Sequence, residues 1–166
     1  AMTGVPMRLT MPRVVKVNLT GSLKPGCNPK EVILKMLQLV TIKGGLGNVY
    51  EYVGPGAAAL EVPARATIAN MGAEMGATTS IFPADAQVKK FMTAQGRGDQ
   101  YVEMLPDEDA EYDECIDINL SELEPLISCP HQPDNVIPLK DAEKKRVQQV
   151  FIGSCTNASY ADIAKA

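Results

Sequence analysis

Short β-type and helical segments alternate along the first 120 residues of this chain, and this alternation is the strongest constraint on its fold. Residues 14–19 are rich in valine and alternate apolar with polar side chains, which predicts a strand. Residues 28–40 carry apolar side chains at helical spacing, with Asn28 as N-cap, Pro29 at the first helical position and Glu31 at the third. Strands that alternate with helices at this spacing are typical of βαβ units.

The same pattern continues along the chain. We expect strands at 48–53, 78–82 and 116–120 and helices at 63–75 and 85–94. The Gly-Pro-Gly sequence at 54–56 predicts a turn, and the small residues of 63–75 predict a helix that packs closely on a neighbour. The predicted fold class is therefore α/β, a three-layer α/β/α sandwich with a mostly parallel sheet.

A proline-rich stretch suggests how the chain divides. Prolines at four positions between 121 and 138 argue against a regular element there. We expect an α/β domain over 1–125, a linker over 126–146, and then the beginning of another domain over 147–166. This last segment holds a predicted strand at 150–152, a turn around Cys155 and a helix from 158 that meets no stop signal. We therefore expect an internal piece of a longer protein, with Ala1 as a tag remnant. The alternative is a complete natural chain.

Composition narrows the function classes. Sixteen basic and twenty acidic residues give a net charge of −4, which argues against capture of nucleic acid or anionic membranes. No apolar run approaches the ~18–20 residues of a membrane helix, and no signal peptide is predicted. Four cysteines without a C-x-x-C pair argue against a complete zinc site or a disulfide scaffold, and favour a reducing compartment.

Two groups of residues could carry chemistry. Cys155 lies in a predicted strand-to-helix turn, where helix N–H groups favour a thiolate, which can ligate a metal or act as a nucleophile. A buried structural cysteine is the alternative. Asn70 and Glu74 are four residues apart on a predicted helix, so they share a face and could reach a reacting oxygen. An ordinary solvated helix face is the alternative for this pair.

Several motifs together resemble the aconitase family. The match is most specific around Cys155, in the sequence I-G-S-C-T-N-A-S-Y at 152–160. Further matches run in family order along nearly the whole chain: P-K-E-V-I-L-K at 29–35, I-K-G-G-x-G at 42–47, E-Y-x-G-P-G at 51–56, A-T-I-x-N-M-G-A-E at 66–74, G-A-T-T-S-x-F-P at 76–83 and I-N-L-S-E-L at 118–123. The Phe-Pro pair at 82–83 and the Lys-Lys pair at 89–90 favour the aconitase branch over the isopropylmalate isomerases.

The resemblance implies a cofactor and site residues. Cys155 matches the first of three cysteine ligands of a [4Fe–4S] cluster. Asn70 and Glu74 match family residues near the iron that lacks a cysteine, where they contact its bound water or hydroxyl. Asn157 would orient the turn or donate to cluster sulfur, and an N-cap of the last helix is the alternative.

The resemblance also implies an activity. The intact protein would be an aconitate hydratase acting on a tricarboxylate, citrate or isocitrate, together with the remaining aconitase domains of its own polypeptide. Its location would be cytoplasmic, or the mitochondrial matrix in a eukaryote. The family supplies two further cysteines downstream as C-x-x-C, so we expect the 166-residue chain alone to hold no cluster and to be inactive. The alternatives are homoaconitase, a methylcitrate-type or isopropylmalate isomerase, or a non-catalytic α/β binding module.

Overall fold

The structure is a computed structural model that describes residue 4, residue 6 and residues 8–165. Ala1, Met2 and Ala166, on which the expectations about the chain ends depend, lie outside the described residues. Four parallel strands form the central sheet in the order β3-β2-β1-β4. Their bounds are β1 (Arg13–Thr20), β2 (Asn48–Val53), β3 (Thr79–Ile81) and β4 (Glu114–Asn119). The predicted α/β class with a parallel sheet is confirmed.

One face of this sheet forms the core. The inward residues of β1 are almost fully buried, and in register they stand beside Tyr50 and Tyr52 of β2. The described residues contain five α-helices: α1 (Pro29–Val40), α2 (Pro55–Ala59), α3 (Val62–Asn70), α4 (Ala86–Ala94) and α5 (Tyr160–Lys165). Apolar side chains of α1 and α3 join the same core cluster, including Ile33 and Ile68. The hydrophobic effect therefore fastens both helices to this face.

The opposite face of the sheet is mixed, since it includes the buried Val49 and Val53 of β2 as well as polar side chains. It carries Lys16 and Asn18 from β1 and Asp117 from β4, and the Asn18 amide donates to the Asp117 carboxylate over 2.8 Å. Tyr112 lies under the Lys16 ammonium, which is 5.3 Å from the ring centroid. The side chains of β1 therefore alternate between a buried apolar face and a half-exposed mixed face, as their period of two requires.

Local sequence signals account for where α1 and α4 begin. Asn28 is the N-cap of α1, and the Glu31 carboxylate accepts a hydrogen bond from its backbone N–H over 2.6 Å. Asp85 is the N-cap of α4, and its carboxylate accepts from the backbone N–H groups of Gln87 and Val88. These contacts satisfy helix donors that would otherwise lack partners. Both helices were predicted at these positions.

The single helix expected over 63–75 is wrong in its second half. After α3 ends at Asn70, residues Met71–Met75 form a 3₁₀ helix, which Gly76 ends with a φ of 75°. Gly72 allows the tighter turn to approach β3, because a Cβ at this position would meet the Ser80 hydroxyl at 2.5 Å. The four-residue α-helical spacing that would put Asn70 and Glu74 on one face therefore does not apply here, since a 3₁₀ helix has three residues per turn.

The turn expected at 54–56 is shorter than predicted. Gly54 has a φ of 93°, a value that favours glycine. Helix α2 then begins directly at Pro55, because proline is well suited to the first helical position. Gly56 lies inside α2 against Leu19 of β1, where a Cβ would meet the Leu19 carbonyl oxygen at 2.9 Å.

The expectation of no regular element between 121 and 138 is also wrong. Strands β5 (Leu126–Ser128) and β6 (Val136–Pro138) pair as an antiparallel hairpin. Proline is compatible with an exposed strand of a two-stranded ribbon, where the missing N–H is not needed. Val136 is 5% exposed and belongs to the main core cluster, so the hairpin packs on the α/β unit. The division into domains remains a prediction.

The strand expected at 150–152 is absent from the described residues. Val150, Phe151 and Ile152 lack regular structure and are 72%, 83% and 49% exposed. A strand needs hydrogen bonds from a neighbour, and none of the six described strands pairs with this segment.

Within the described part of the chain, no helix has the length and apolar character needed to cross a membrane.

Candidate active site at the cysteine turn

The site is built around residues 153–157, which we call the cysteine turn. Ser154 has a φ of 75°, in the left-handed region, and Cys155 and Ser154 are both exposed. Helix α5 begins five residues after Cys155, so its N–H groups do not surround the thiol as the sequence suggested. The helix start is instead capped by Ser159, which donates through its backbone N–H and its hydroxyl to the Asp162 carboxylate.

Two side chains of α3 hold the cysteine turn. The Thr67 hydroxyl donates to the carbonyl oxygen of Thr156 over 2.9 Å. The Asn70 side-chain amide donates to the carbonyl oxygen of Cys155 over 2.8 Å. Residues three apart lie on the same side of an α-helix, so these two donors meet two consecutive carbonyl groups. The structure therefore brings together Asn70 and Cys155, which the sequence had singled out separately.

Helix α3 is itself held by a buried arginine. Arg65 is 4% exposed, and its guanidinium donates to the Leu60 carbonyl, the Pro83 carbonyl and the Asp85 carboxylate. Burial alone raises the pKa of Asp85, but the Arg65 hydrogen bond and charge and two helix N–H groups outweigh it, so the pKa lies below its ordinary value. The helix that supports the cysteine turn is thereby tied to the start of α4.

Hydroxyl groups beside Cys155 favour its thiolate. The pKa of Cys155 is lowered because the Ser154 hydroxyl, and then the Thr156 hydroxyl, hydrogen-bond to the sulfur; the oxygen–sulfur distances are 3.7 and 3.8 Å. Burial, and then the negative charge of Glu74, act in the opposite direction and raise this pKa. The predicted direction of the Cys155 shift is therefore confirmed, but its main cause is different.

Glu74 and four residues of the cysteine turn, Gly153, Ser154, Thr156 and Asn157, line one open groove of about 450 Å³. Lys30 from the first turn of α1 contributes a positive charge to the same groove. Glu74 is exposed in this chain. The groove is thus open to solvent, and it brings an acidic and a basic side chain together beside Ser154 and Thr156, the two neighbours of the exposed Cys155.

Asn157 also lines this groove, but it is not the N-cap of α5. That alternative is wrong, since Ser159 holds the capping position. The Asn157 side-chain oxygen Oδ1 is buried and has no hydrogen-bond partner within the described part of the chain. An orphaned acceptor of this kind indicates that a donor is missing from its surroundings.

One side chain of the described residues, Cys155, is suited to bind the [4Fe–4S] cluster that the sequence suggested. Over residues 8–165, no group of three or more His, Cys, Asp or Glu side chains converges as a metal site. Cys155 supplies one exposed sulfur with a lowered pKa, which is the right donor for one corner of an iron–sulfur cluster. The chain therefore fits one cluster ligand, and the remaining ligands would have to come from elsewhere.

Sequence reasoning did not find two contributors to this site. Nothing in the sequence points to Thr67, because threonine in a helix carries no chemical signal and its partner Thr156 is 89 residues away. The Ser159–Asp162 cap could have been found, because serine followed three residues later by an acidic residue is the pattern of a capping box.

Comparisons with known proteins identify the family. The sequence model of the aconitase family (aconitate hydratase) matches residues 1–146. Mitochondrial aconitate hydratases of Gracilaria gracilis and Emericella nidulans are 44% and 45% identical over 99% of this chain, which covers 23% of each. The mitochondrial homocitrate dehydratase of Saccharomyces cerevisiae is 39% identical over the same shares. The chain thus spans less than a quarter of the length of these relatives. It belongs to the aconitase family.

Proposed function

We propose that this chain is part of a [4Fe–4S] hydro-lyase that interconverts citrate and isocitrate through cis-aconitate. The observation that carries the proposal is the hydrogen bond from Asn70 to the Cys155 carbonyl, which joins α3 to the cysteine turn. Glu74 follows four residues after Asn70 and lines a groove together with Ser154 and Thr156, the neighbours of Cys155, which supports a role for its carboxylate beside the thiol. Membership of the aconitase family supports the same reaction class.

Cys155 would bind the cluster through its thiolate. The hydroxyls of Ser154 and Thr156 lower the pKa of the thiol, so the form that ligates iron is favoured near neutral pH. A bound cluster supplies a Lewis-acidic iron, which polarises the bond between the substrate carbon and its hydroxyl. Asn70 would hold the backbone of the ligand in place, and the orphaned Asn157 oxygen would accept a donor brought by the assembled site.

Glu74 would transfer a proton to and from the hydroxyl group of the substrate. Glu74 lines the groove beside Ser154 and Thr156, and it is exposed in this chain. During dehydration the leaving hydroxyl of the substrate needs a proton to depart as water, and an Oε atom of Glu74 would donate it. A base from another part of the polypeptide would remove the proton from the adjacent carbon, and the C–H electron pair would form the double bond. During hydration the same atom would take the proton back, which is general acid–base catalysis. Lys30, on the same groove, would offer a positive charge to a substrate carboxylate.

The rest of the site would come from other parts of a longer polypeptide. The described residues supply one thiol near the groove, whereas the cluster type needs three cysteines in this family. The chain covers 23% of its aconitate hydratase relatives, which leaves room for those ligands and for further substrate-binding residues. On this proposal the 166-residue chain by itself is inactive.

A Glu74→Gln substitution in the intact polypeptide tests the proposal. Glutamine keeps the shape of the side chain but cannot transfer the proton, so kcat for isocitrate should fall on the order of 10²-fold or more. Iron and acid-labile sulfide contents, with the visible absorption of the cluster, should remain at the level of the unsubstituted protein.

A matched control is Glu108→Gln, which removes an exposed carboxylate from an acidic loop outside the groove. Its turnover should be unchanged. Near-normal turnover of the Glu74→Gln variant with full iron content would refute the role of Glu74.

A Cys155→Ser substitution tests the proposed cluster ligand. The variant should contain no iron and no acid-labile sulfide, and a full cluster in it would refute the ligand assignment.

A shifted substrate is the second candidate, because one relative at 39% identity is a homocitrate dehydratase. The ratio of kcat/KM for cis-aconitate and for its longer homologue, cis-homoaconitate, distinguishes the two. A higher value for the longer acid would replace the first assignment. Turnover of neither acid by an intact, cluster-loaded polypeptide would favour a non-catalytic role.

A further inference from the structure

Thr67 is a buried polar residue that has no role in the proposed reaction. It is 7% exposed and lies on α3, one helical turn before Asn70. Its hydroxyl oxygen is 2.9 Å from the carbonyl oxygen of Thr156 and 3.3 Å from the carbonyl oxygen of Pro63 in its own helix. A threonine hydroxyl has one proton to donate. The shorter contact, which leaves the helix and reaches the cysteine turn, is the stronger one.

The hydrogen bond from Thr67 acts on the residue next to the thiol. Thr156 is held through its carbonyl, while its own hydroxyl lies 3.8 Å from the Cys155 sulfur. Asn70 holds the preceding carbonyl, that of Cys155 itself. Two consecutive peptide groups are therefore fixed to α3, and together they limit the rotation of the backbone that carries the Cys155 side chain.

No other feature of the described turn gives comparable restraint. Cys155 and Ser154 are exposed, and Ser154 has a left-handed φ of 75°. The preceding residues, Phe151 and Ile152, are also exposed and belong to no strand. The position of the thiol thus depends on contacts that reach it from α3.

We propose that Thr67 is a positioning residue that fixes the direction of the Cys155 thiol by holding the Thr156 carbonyl against α3. What the thiol then binds rests on the proposed function, but the positioning itself does not. Loss of one neutral hydrogen bond should shift the balance between docked and released turn about 2- to 10-fold towards release.

A nitroxide spin label on Cys155 tests this in the 166-residue chain, with Cys27, Cys115 and Cys129 replaced by serine. In a Thr67→Val variant, which keeps the side-chain shape without the hydroxyl, the ratio of the mobile to the immobile component of the spectrum should rise about 2- to 10-fold. Thr67→Ser restores the hydroxyl and should return the spectrum to that of the parent. Thr67→Ala removes the same hydroxyl and replaces the valine variant if that variant does not fold.

The matched control is Thr93→Val. Thr93 lies on α4, and its hydroxyl donates to the Lys89 carbonyl of the same helix over 2.8 Å, so this change removes a helical threonine hydroxyl that does not contact the turn. Its spectrum should equal that of the parent. Equal spectra for parent and Thr67→Val, or failure of Thr67→Ser to restore the parent spectrum, would overturn the proposal. No cluster is needed for this measurement, so its failure is distinct from a failure of the proposed function.

Discussion

Replacing Arg65 by methionine removes a buried guanidinium that makes three hydrogen bonds within the described chain. The three hydrogen bonds of its guanidinium go to the Leu60 carbonyl at 2.9 Å, the Pro83 carbonyl at 3.0 Å and the Asp85 carboxylate at 2.7 Å. The side chains of Arg65 and Asp85 are 4% and 18% exposed. Methionine refills most of the volume, but it leaves Asp85 without its cation.

The cost can be estimated from this geometry. Breaking a buried ion pair by removing one partner costs about 3–5 kcal/mol of folding free energy. A typical domain has a total stability of about 5–15 kcal/mol, so the variant loses a large part of it. With a urea m-value of about 2 kcal/mol/M, the unfolding midpoint should fall by about 2 M.

The pH dependence provides an independent check. Arg65 and two helix N–H groups hold the pKa of Asp85 below its ordinary value in the folded chain, against the opposing effect of burial. A depressed carboxyl pKa stabilises the folded state above the unfolded pKa of about 3.9, and this stabilisation is lost as the pH falls through the folded pKa. The stability difference between parent and Arg65→Met should therefore shrink below about pH 4.

The assay is urea unfolding of the 166-residue chain followed by circular dichroism between pH 3 and 7. The control is Lys90→Met, which breaks the pair between Lys90 and Glu61, two side chains that are 73% and 70% exposed. An exposed pair of this kind contributes less than about 1 kcal/mol. If the two variants had equal midpoints at pH 7, the structural role assigned to Arg65 would be refuted.

Two further predictions concern backbone and thiol chemistry. Gly54→Ala should destabilise the chain more than Gly26→Ala. Both glycines have φ near 90°, a conformation that costs alanine about 1–3 kcal/mol. Only at Gly54 would the new Cβ also meet other atoms, namely the Asn18 side-chain oxygen and the Leu19 carbonyl. Equal urea midpoints would contradict the crowding at Gly54. Iodoacetamide should alkylate Cys155 with a pH midpoint below that of Cys27, because hydroxyls lower the pKa of Cys155, whereas burial and then the charge of Glu31 raise that of Cys27. Peptide mass spectrometry over pH 6–10 measures both midpoints, and a reversed order would contradict this account.

Local signals were sufficient for much of the α/β framework. Helix α1 is predicted from Asn28, Pro29 and the spacing of its apolar side chains, and the structure begins it at Pro29. Strand β1 follows from its alternation, and its inward side chains are indeed buried. These signals are local because helix caps and side-chain periodicity depend on residues only a few positions apart.

The candidate site was only partly predictable for the same reason. Cys155 and Asn70 were recognised by their sequence context, but nothing in the sequence showed that the Asn70 amide contacts the Cys155 carbonyl, since the two residues are 85 positions apart. Their catalytic roles, with those of Glu74 and Asn157, remain predictions. The expected α-helix through Glu74 is wrong, because close packing of Gly72 on β3 accompanies a change from α-helix to 3₁₀ helix after Asn70.

The sequence by itself determined the identity and order of the main helices and parallel strands, because these elements are encoded by short-range spacing and capping. Only the tertiary structure decided which extended segments pair with another strand. The proline-rich residues Leu126–Ser128 and Val136–Pro138 became a hairpin by pairing with one another, whereas the apolar residues 150–152 have no strand partner among the described residues. Strand hydrogen bonds and contacts such as Thr67 with Thr156 join distant parts of the chain, so they depend on how the chain folds in space.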